Sequence, residues 1–196
     1  MELLELTEAA IEAAVRVLRA GGIIAHPTET CYGLACDITN PEAVARLFEL
    51  KRRPPQSPVS ALFPSLDEAK KYVEWTDAAE PYARRLPGPL TLILPLKIDA
   101  SMPLFATPSG TKNIGVRVSS NPFAQKLVTA FGKPLSTTSA NLHGQPPAYS
   151  PGDLLVQFDE EDDLDLILDG GQLPRNPPST IVDLTGASVT ERARVQ

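Results

Sequence analysis

The sequence predicts an α/β fold, one twisted mixed sheet with helices packed on it, and three observations lead there. Short apolar runs of strand length alternate with amphipathic stretches of helical period along the 196 residues. The 20 prolines cluster at the ends of these stretches, where they act as rigid turns. Strict strand–helix–strand alternation breaks at the proline-rich segments, which argues for a mixed sheet over a purely parallel one. The length suits a single domain spanning residues 1–196.

The elements follow in order. Thr7 caps a helix to about Ala20, with Ile11, Val15 and Leu18 on one face and Gly21-Gly22 after its end. Residues 23–26 read as a short buried strand stopped by Pro27. Asn40-Pro41-Glu42 starts a second helix with cap, N1 proline and early acid in place; Val44, Leu47 and Phe48 form its buried stripe. That helix is expected to end on Lys51-Arg52-Arg53 before Pro54-Pro55. Residues 59–63 form a strand, and Ser65 opens a helix carrying Leu66, Ala69 and Val73. A further helix starts near Asp77 and stops at Pro87-Gly88-Pro89. Residues 90–96 are a continuous apolar run, a strand buried on both faces. Residues 114–118 are another strand, and Asn121-Pro122 starts a helix through Phe123, Leu127 and Phe131. Residues 134–138 are a strand feeding a turn at Ser139-Ala140-Asn141, and Ser150-Pro151 opens a short helix. Residues 164–168 and 180–184 read as strands, with a last one from Val189, and residues 159–163 as a solvated acidic loop.

Bulk composition bounds the function. Hydrophobic residues at 42% and charged residues at 21% are a globular balance. Cys31 and Cys36 are too few for a disulfide framework and suit a reducing compartment. The acidic, amphipathic N-terminus does not resemble a signal peptide, and no apolar run reaches the length of a membrane span. A cytoplasmic location is expected. The net charge of −6 opposes polyanion binding, so any phosphate site must be a local pocket.

Three segments carry more polar chemistry than a turn requires. Residues 27–35, PTETCYGLA, follow a buried strand and place Thr28, Glu29 and Thr30 at a strand end, where α/β folds bind ligands. A well-capped turn explains the same residues. Residues 51–58, KRRPPQSP, gather three cations at a helix end, where they would complement the helix dipole. Alternatively, Lys51 and Arg53 would converge on one polyphosphate or carboxylate. Residues 134–141, PLSTTSAN, offer four hydroxyls and an amide at another strand end. Neither the G-x-x-x-x-G-K-[ST] loop nor the G-x-G-x-x-G turn is present. His26 and His143 are too scattered for a metal cluster, so no metal ligand set is expected.

The stretches GGIIAHPTETCYGLACD, KRRPP, LPGPLTLIL, IGVRVSSNP, GKPLSTTSAN and PSTIVDLTG, taken together in this order, resemble the YrdC-like (YrdC/YciO) family. They run from Gly21 to Gly186. The resemblance implies a twisted sheet with a concave basic face that holds ATP and L-threonine. It implies an enzyme that joins threonine and bicarbonate into a carbamate, transfers it to the α-phosphorus of ATP and releases pyrophosphate, with Mg²⁺ on the phosphates. The product would serve a tRNA-modifying threonylcarbamoyl transferase complex acting on adenosine 37.

By position, the resemblance puts Thr30 on threonine, Lys51 and Arg53 on the phosphates, and Arg117 on the threonine carboxylate. Thr137, Ser139 and Asn141 would line the pocket, and Ser179 and Arg192 would close it. His26 stands where an aromatic is usual, and Cys31 where a valine is. IGVRVSSNPFAQ also resembles the YciO branch, while KRRP and STTSAN point to the synthase branch. Two alternatives remain open at this point: an RNA-binding module, against which the acidic balance argues, and a related carbamoyl-transfer enzyme. Weak or no direct tRNA binding is expected.

Overall fold

Each long helix begins on the cap that its sequence supplies. The computed structural model describes residues 1–54, 60–97, 112–158, 164–186 and 188–192. Thr7 accepts the Ala10 amide and starts α1 (Glu8–Arg19), which buries Ala10, Ile11, Ala14, Val15 and Leu18. Asn40 takes the Glu42 and Ala43 amides and starts α2 (Pro41–Leu50). Asn121 does the same for α5 (Pro122–Phe131), which Gly132 closes in the left-handed region. Ser150 and Asp153 cap α6 (Pro151–Gln157) reciprocally.

The two middle helices are shorter than the sequence predicts. The Ser65-capped helix, α3, is one turn, Leu66–Ala69. Val73 leaves it to bridge Leu96, and the Lys97 amide donates to Tyr72, so sheet pairing replaces the next helical turn. The segment from Asp77 is a 3₁₀ turn (Asp77–Ala79) followed by α4 (Glu80–Ala83).

Ten strands form one mixed sheet: β1 (Glu2–Glu5), β2 (Ile24–Pro27), β3 (Tyr32–Ala35), β4 (Ser60–Leu62), β5 (Leu90–Pro95), β6 (Asn113–Arg117), β7 (Leu135–Ser139), β8 (Leu166–Asp169), β9 (Thr180–Asp183) and β10 (Thr190–Arg192). Their order is β1-β8-β2-β3-β7-β4-β6-β5-β9-β10. β8 pairs parallel with β1 and β2, β4 with β6 and β5 with β9; the hairpins β2–β3, β5–β6 and β9–β10 are antiparallel. The mixed character expected from the prolines is therefore present. Val59 and the acidic loop at 159–163 lie outside the described residues.

Two strands went unrecognised in the sequence. β1 is an edge strand with both glutamates exposed, and so lacks an apolar alternation on which to recognise it. β3 is the return arm of a hairpin whose turn is the Thr28–Cys31 stretch; the polar turn residues hide the four-residue buried strand behind them.

The sheet is covered on both faces, and strand alternation decides which face each residue sees. Ile24, Ala35, Leu62, Leu135, Leu166 and Leu168 pack with α1 and α5 in one cluster. Leu34, Ala61, Leu92, Val116 and Val182 pack on the other face with residues of α2, α3 and α6. Alternation then puts Gly33, Thr137, Ser139 and Arg117 on the α1/α5 face, beyond the part those helices cover. At Gly115 a Cβ would come within 2.4 Å of Ser60 Oγ, so β4 and β6 meet there only with glycine.

Candidate active site

Where α1 and α5 leave the sheet bare, a cavity of about 530 Å³ opens. Its lining includes Thr30, Arg117, Thr137, Ser139, Asn141 and Ser179, so six of the expected site residues, far apart in sequence, meet in one place. Gly144 to Pro147 and Pro178 supply a further wall. A volume of this size suits a small-molecule ligand.

The PTETC turn combines both of its readings. Thr28 Oγ donates to the Cys31 carbonyl (2.7 Å) and accepts the Thr30 and Cys31 amides, which is a structural turn. Thr30 meanwhile presents its side chain to the cavity, 3.0 Å from the Thr28 hydroxyl. Tyr32 fixes the hairpin from behind, donating to the Gly171 carbonyl (2.9 Å) and accepting the Gly170 amide (2.8 Å). Burial pushes its hydroxyl pKa up to about 12, so it stays protonated in these bonds.

Arg117 is the one charged residue among the described lining residues. Its Nη2 donates to Glu29, whose other carboxylate oxygen accepts from the Ser119 hydroxyl. The Asn176 side chain holds the Glu29 backbone carbonyl at 2.9 Å. Both charged side chains are nearly buried, 8% and 14% exposed, so the pair is held in a low-dielectric setting. Arg117 Nε is buried with no hydrogen-bond partner among the described residues. Sequence reasoning placed Glu29 at the strand end but missed its pairing with Arg117, 88 residues away.

Ser139 Oγ donates to Asn141 Oδ1 (2.6 Å), and the Asn141 amide donates to the carbonyls of Leu142 (2.9 Å) and Gln145 (2.6 Å). On the far wall Ser179 and Thr91 place their hydroxyls 3.1 Å apart. The site therefore offers neutral hydroxyl and amide groups around one guanidinium.

Three expected residues do not line the cavity. Lys51 is 4% exposed, and its ammonium donates to the Ser139 carbonyl, the Asn141 carbonyl (2.7 Å) and Asn141 Oδ1 (3.2 Å). It braces the wall from behind. α2 ends at Leu50, short of the three cations, and its last turn holds no basic residue. The reason is a Schellman stop: the Arg52 amide donates to Glu49 (2.8 Å), the Arg53 amide to Phe48 (3.0 Å), and Arg52 adopts φ 50. This turns Lys51 inward and leaves Arg53 half-buried outside the lining, where burial disfavours its charged form. Arg192 sits exposed on β10, opposite Ile181 at the edge of the sheet.

Cys31 and Gly33 also line the cavity, and neither stood among the expected site residues. The signal available was the register: Gly33 pairs with His26 in β2 and with Ser139 in β7. Cys36 is a buried core thiol whose pKa burial pushes up to about 12, and it is inert.

Known proteins share the fold of this chain. The Sua5/YciO/YrdC family model, described as "Telomere recombination", matches residues 16–193. A threonylcarbamoyl-AMP synthase of Vibrio cholerae is 37% identical over 187 residues, covering 91% of this chain and 95% of the relative. The P. abyssi Sua5 structure complexed with L-threonine superposes with a TM-score of 0.86 at 31% identity over 97% of this chain, which spans 56% of the Sua5 chain. E. coli YciO superposes with a TM-score of 0.85 at 29% identity, covering 98% of this chain and 93% of YciO.

Proposed function

The chain belongs to the Sua5/YciO/YrdC family, and from that premise we propose that it is a threonylcarbamoyl-AMP synthase acting in the cytoplasm. The observation that carries the reading is the convergence of Thr30, Arg117, Thr137, Ser139, Asn141 and Ser179 on one cavity. The enzyme is of the nucleotidyltransferase class. Threonine's amine attacks bicarbonate, water leaves, and an oxygen of the resulting carbamate bonds to the α-phosphorus of ATP. The bond from that phosphorus to the bridging oxygen breaks, and pyrophosphate departs with the electron pair.

Such a reaction requires no covalent enzyme nucleophile; it requires aligned reactants and stabilised charge. Arg117 is suited to threonine's carboxylate, with Glu29 and Ser119 holding its guanidinium in orientation. Thr30, Thr137, Ser139, Asn141 and Ser179 supply neutral donors and acceptors for threonine and ATP. Lys51 keeps the Ser139–Asn141 wall in place and sets a positive charge directly behind it, while Arg53 faces the phosphates from outside the lining and Arg192 closes over the Ser179 side. Magnesium arrives on phosphate oxygens, which suit a hard cation. That role fits a lining which, among the described residues, holds hydroxyls and amides but no carboxylate. The product passes to a threonylcarbamoyl transferase complex for tRNA modification.

Pyrophosphate release from ATP is expected to require both threonine and bicarbonate. Equal release with either omitted overturns the synthase reading. The likeness to E. coli YciO favours a second reading, a carbamoyl-transfer activity of that branch; it predicts ATP turnover without threonine dependence.

A further inference from the structure

We infer that Gly33 is a further substrate-binding residue: its bare backbone is the seat in the cavity floor for a phosphoryl group of ATP. The inference rests on the synthase reading and deepens it.

A glycine inside a buried strand weakens it, because it adds no side chain to the packing and loses more freedom on folding than alanine does. Some glycines of this fold are required by space, as at Gly115, where a Cβ would come within 2.4 Å of Ser60 Oγ. Others are required by the backbone: Gly21, Gly132, Gly144 and Gly171 all lie in the left-handed region. Neither reason holds at Gly33. It lies within β3 and outside the left-handed region. A Cβ there would meet the Thr138 carbonyl oxygen at 3.4 Å, His26 Nε2 at 3.5 Å and Thr28 Cγ2 at 3.5 Å, all ordinary contact distances. An alanine fits. What glycine adds at such a position is room for another group to approach the backbone, and Gly33 lines the cavity.

The register indicates which group approaches. Gly33 stands directly opposite Ser139 in β7, which lines the cavity beside it. The Lys51 ammonium donates to the Ser139 carbonyl from behind, and to the Asn141 carbonyl and Oδ1. A positive charge therefore underlies the Gly33–Ser139 step of the floor, shielded from water by its own burial. Arg117, suited to the threonine carboxylate, stands elsewhere along the strands. Leu62 pairs with it on one side and with Leu135 on the other, so Arg117 is level with Leu135 and away from Ser139. The two anionic parts of the reactants thus have separate seats, and the charge beneath Gly33 suits phosphate. A phosphoryl oxygen resting on the Gly33 backbone would be lifted away by a single methyl group.

The test measures pyrophosphate release by the full chain, with ATP and L-threonine varied separately, beside thermal melts. Gly33→Ala is expected to raise the KM for ATP about tenfold, leave the KM for threonine unchanged and keep or raise the melting temperature. Calorimetry with an ATP analogue carrying a methylene between the α- and β-phosphorus should show the same loss of affinity. Gly152→Ala, on the exposed side of α6, where a Cβ meets Ser150 Oγ at 3.6 Å, controls for the backbone effect and should leave both KM values unchanged. Unaltered ATP affinity in Gly33→Ala overturns the inference while the synthase reading stands. So does a loss confined to threonine, a melt that falls in step with affinity, or a variant that does not fold. If the unaltered protein neither binds the analogue nor releases pyrophosphate, the synthase reading falls with it.

Discussion

Arg117 and Glu29 neutralise each other almost out of solvent, so each is costly to keep without its partner. Glu29→Ala is expected to lower stability by about 3 kcal/mol, because the guanidinium is then left buried and uncompensated. Urea midpoints check this, and saturating L-threonine should offset part of the loss by supplying another carboxylate. His26 gives a pH signature. Its folded pKa lies near 4, below the ordinary value of 6.5. Below 6.5 the unfolded ring takes up a proton that the folded ring does not take until about pH 4. The associated stability is therefore fully present above pH 6.5 and is lost as pH falls towards 4, on the order of 3 kcal/mol in all. His26→Phe lacks this term. The stability difference between the unaltered protein and the variant should thus shift against the unaltered protein on moving from pH 7.5 to 4.5, as read by urea titrations at both values.

At the scale of an element, the end of α2 concentrates the test of the basic cluster. Lys51 fastens the β7 turn through three oxygens, so Lys51→Met should destabilise the fold by about 2–3 kcal/mol as well as slow catalysis. Arg53 lacks that structural duty if it faces phosphate. Arg53→Ala should cut pyrophosphate release about a hundredfold with little change in the thermal melt. Arg52 occupies the left-handed position of the Schellman stop, where glycine is the unstrained residue. Arg52→Gly is expected to raise stability by up to about 1 kcal/mol and leave turnover unchanged. If all three variants lose turnover alike, or only in step with stability, Arg53 does not hold phosphate.

At the scale of the molecule, the net charge of −6 sets the long-range field, and Arg117 stands as the one charge among the described lining residues. A phosphate-rich polymer gains little from such a surface. Filter binding to tRNA without other proteins should be weak and should vanish at moderate salt. A tight, salt-resistant complex would favour an RNA-binding role. No helix among the described residues is long and apolar enough to cross a membrane.

The helix starts were legible residue by residue, because Thr7, Asn40, Asn121 and Ser150 satisfy amides within three positions of themselves. Strands β2, β5 and β6 were legible from apolar runs, and the cavity-lining residues Thr30, Arg117, Thr137, Ser139, Asn141 and Ser179 from the family resemblance carried by four of the matched stretches. β1 and β3 were not, since an acidic edge and a four-residue hairpin arm carry too little periodicity. Everything that depends on partners distant in the chain came only from the tertiary structure. Glu29 meets Arg117, Lys51 fastens Ser139 and Asn141, and His26 lies buried opposite Gly33. Capping and alternation are local, governed by neighbours a few residues apart, whereas the direction in which a buried charge or lone pair is satisfied depends on sheet order and register, which only the folded chain decides.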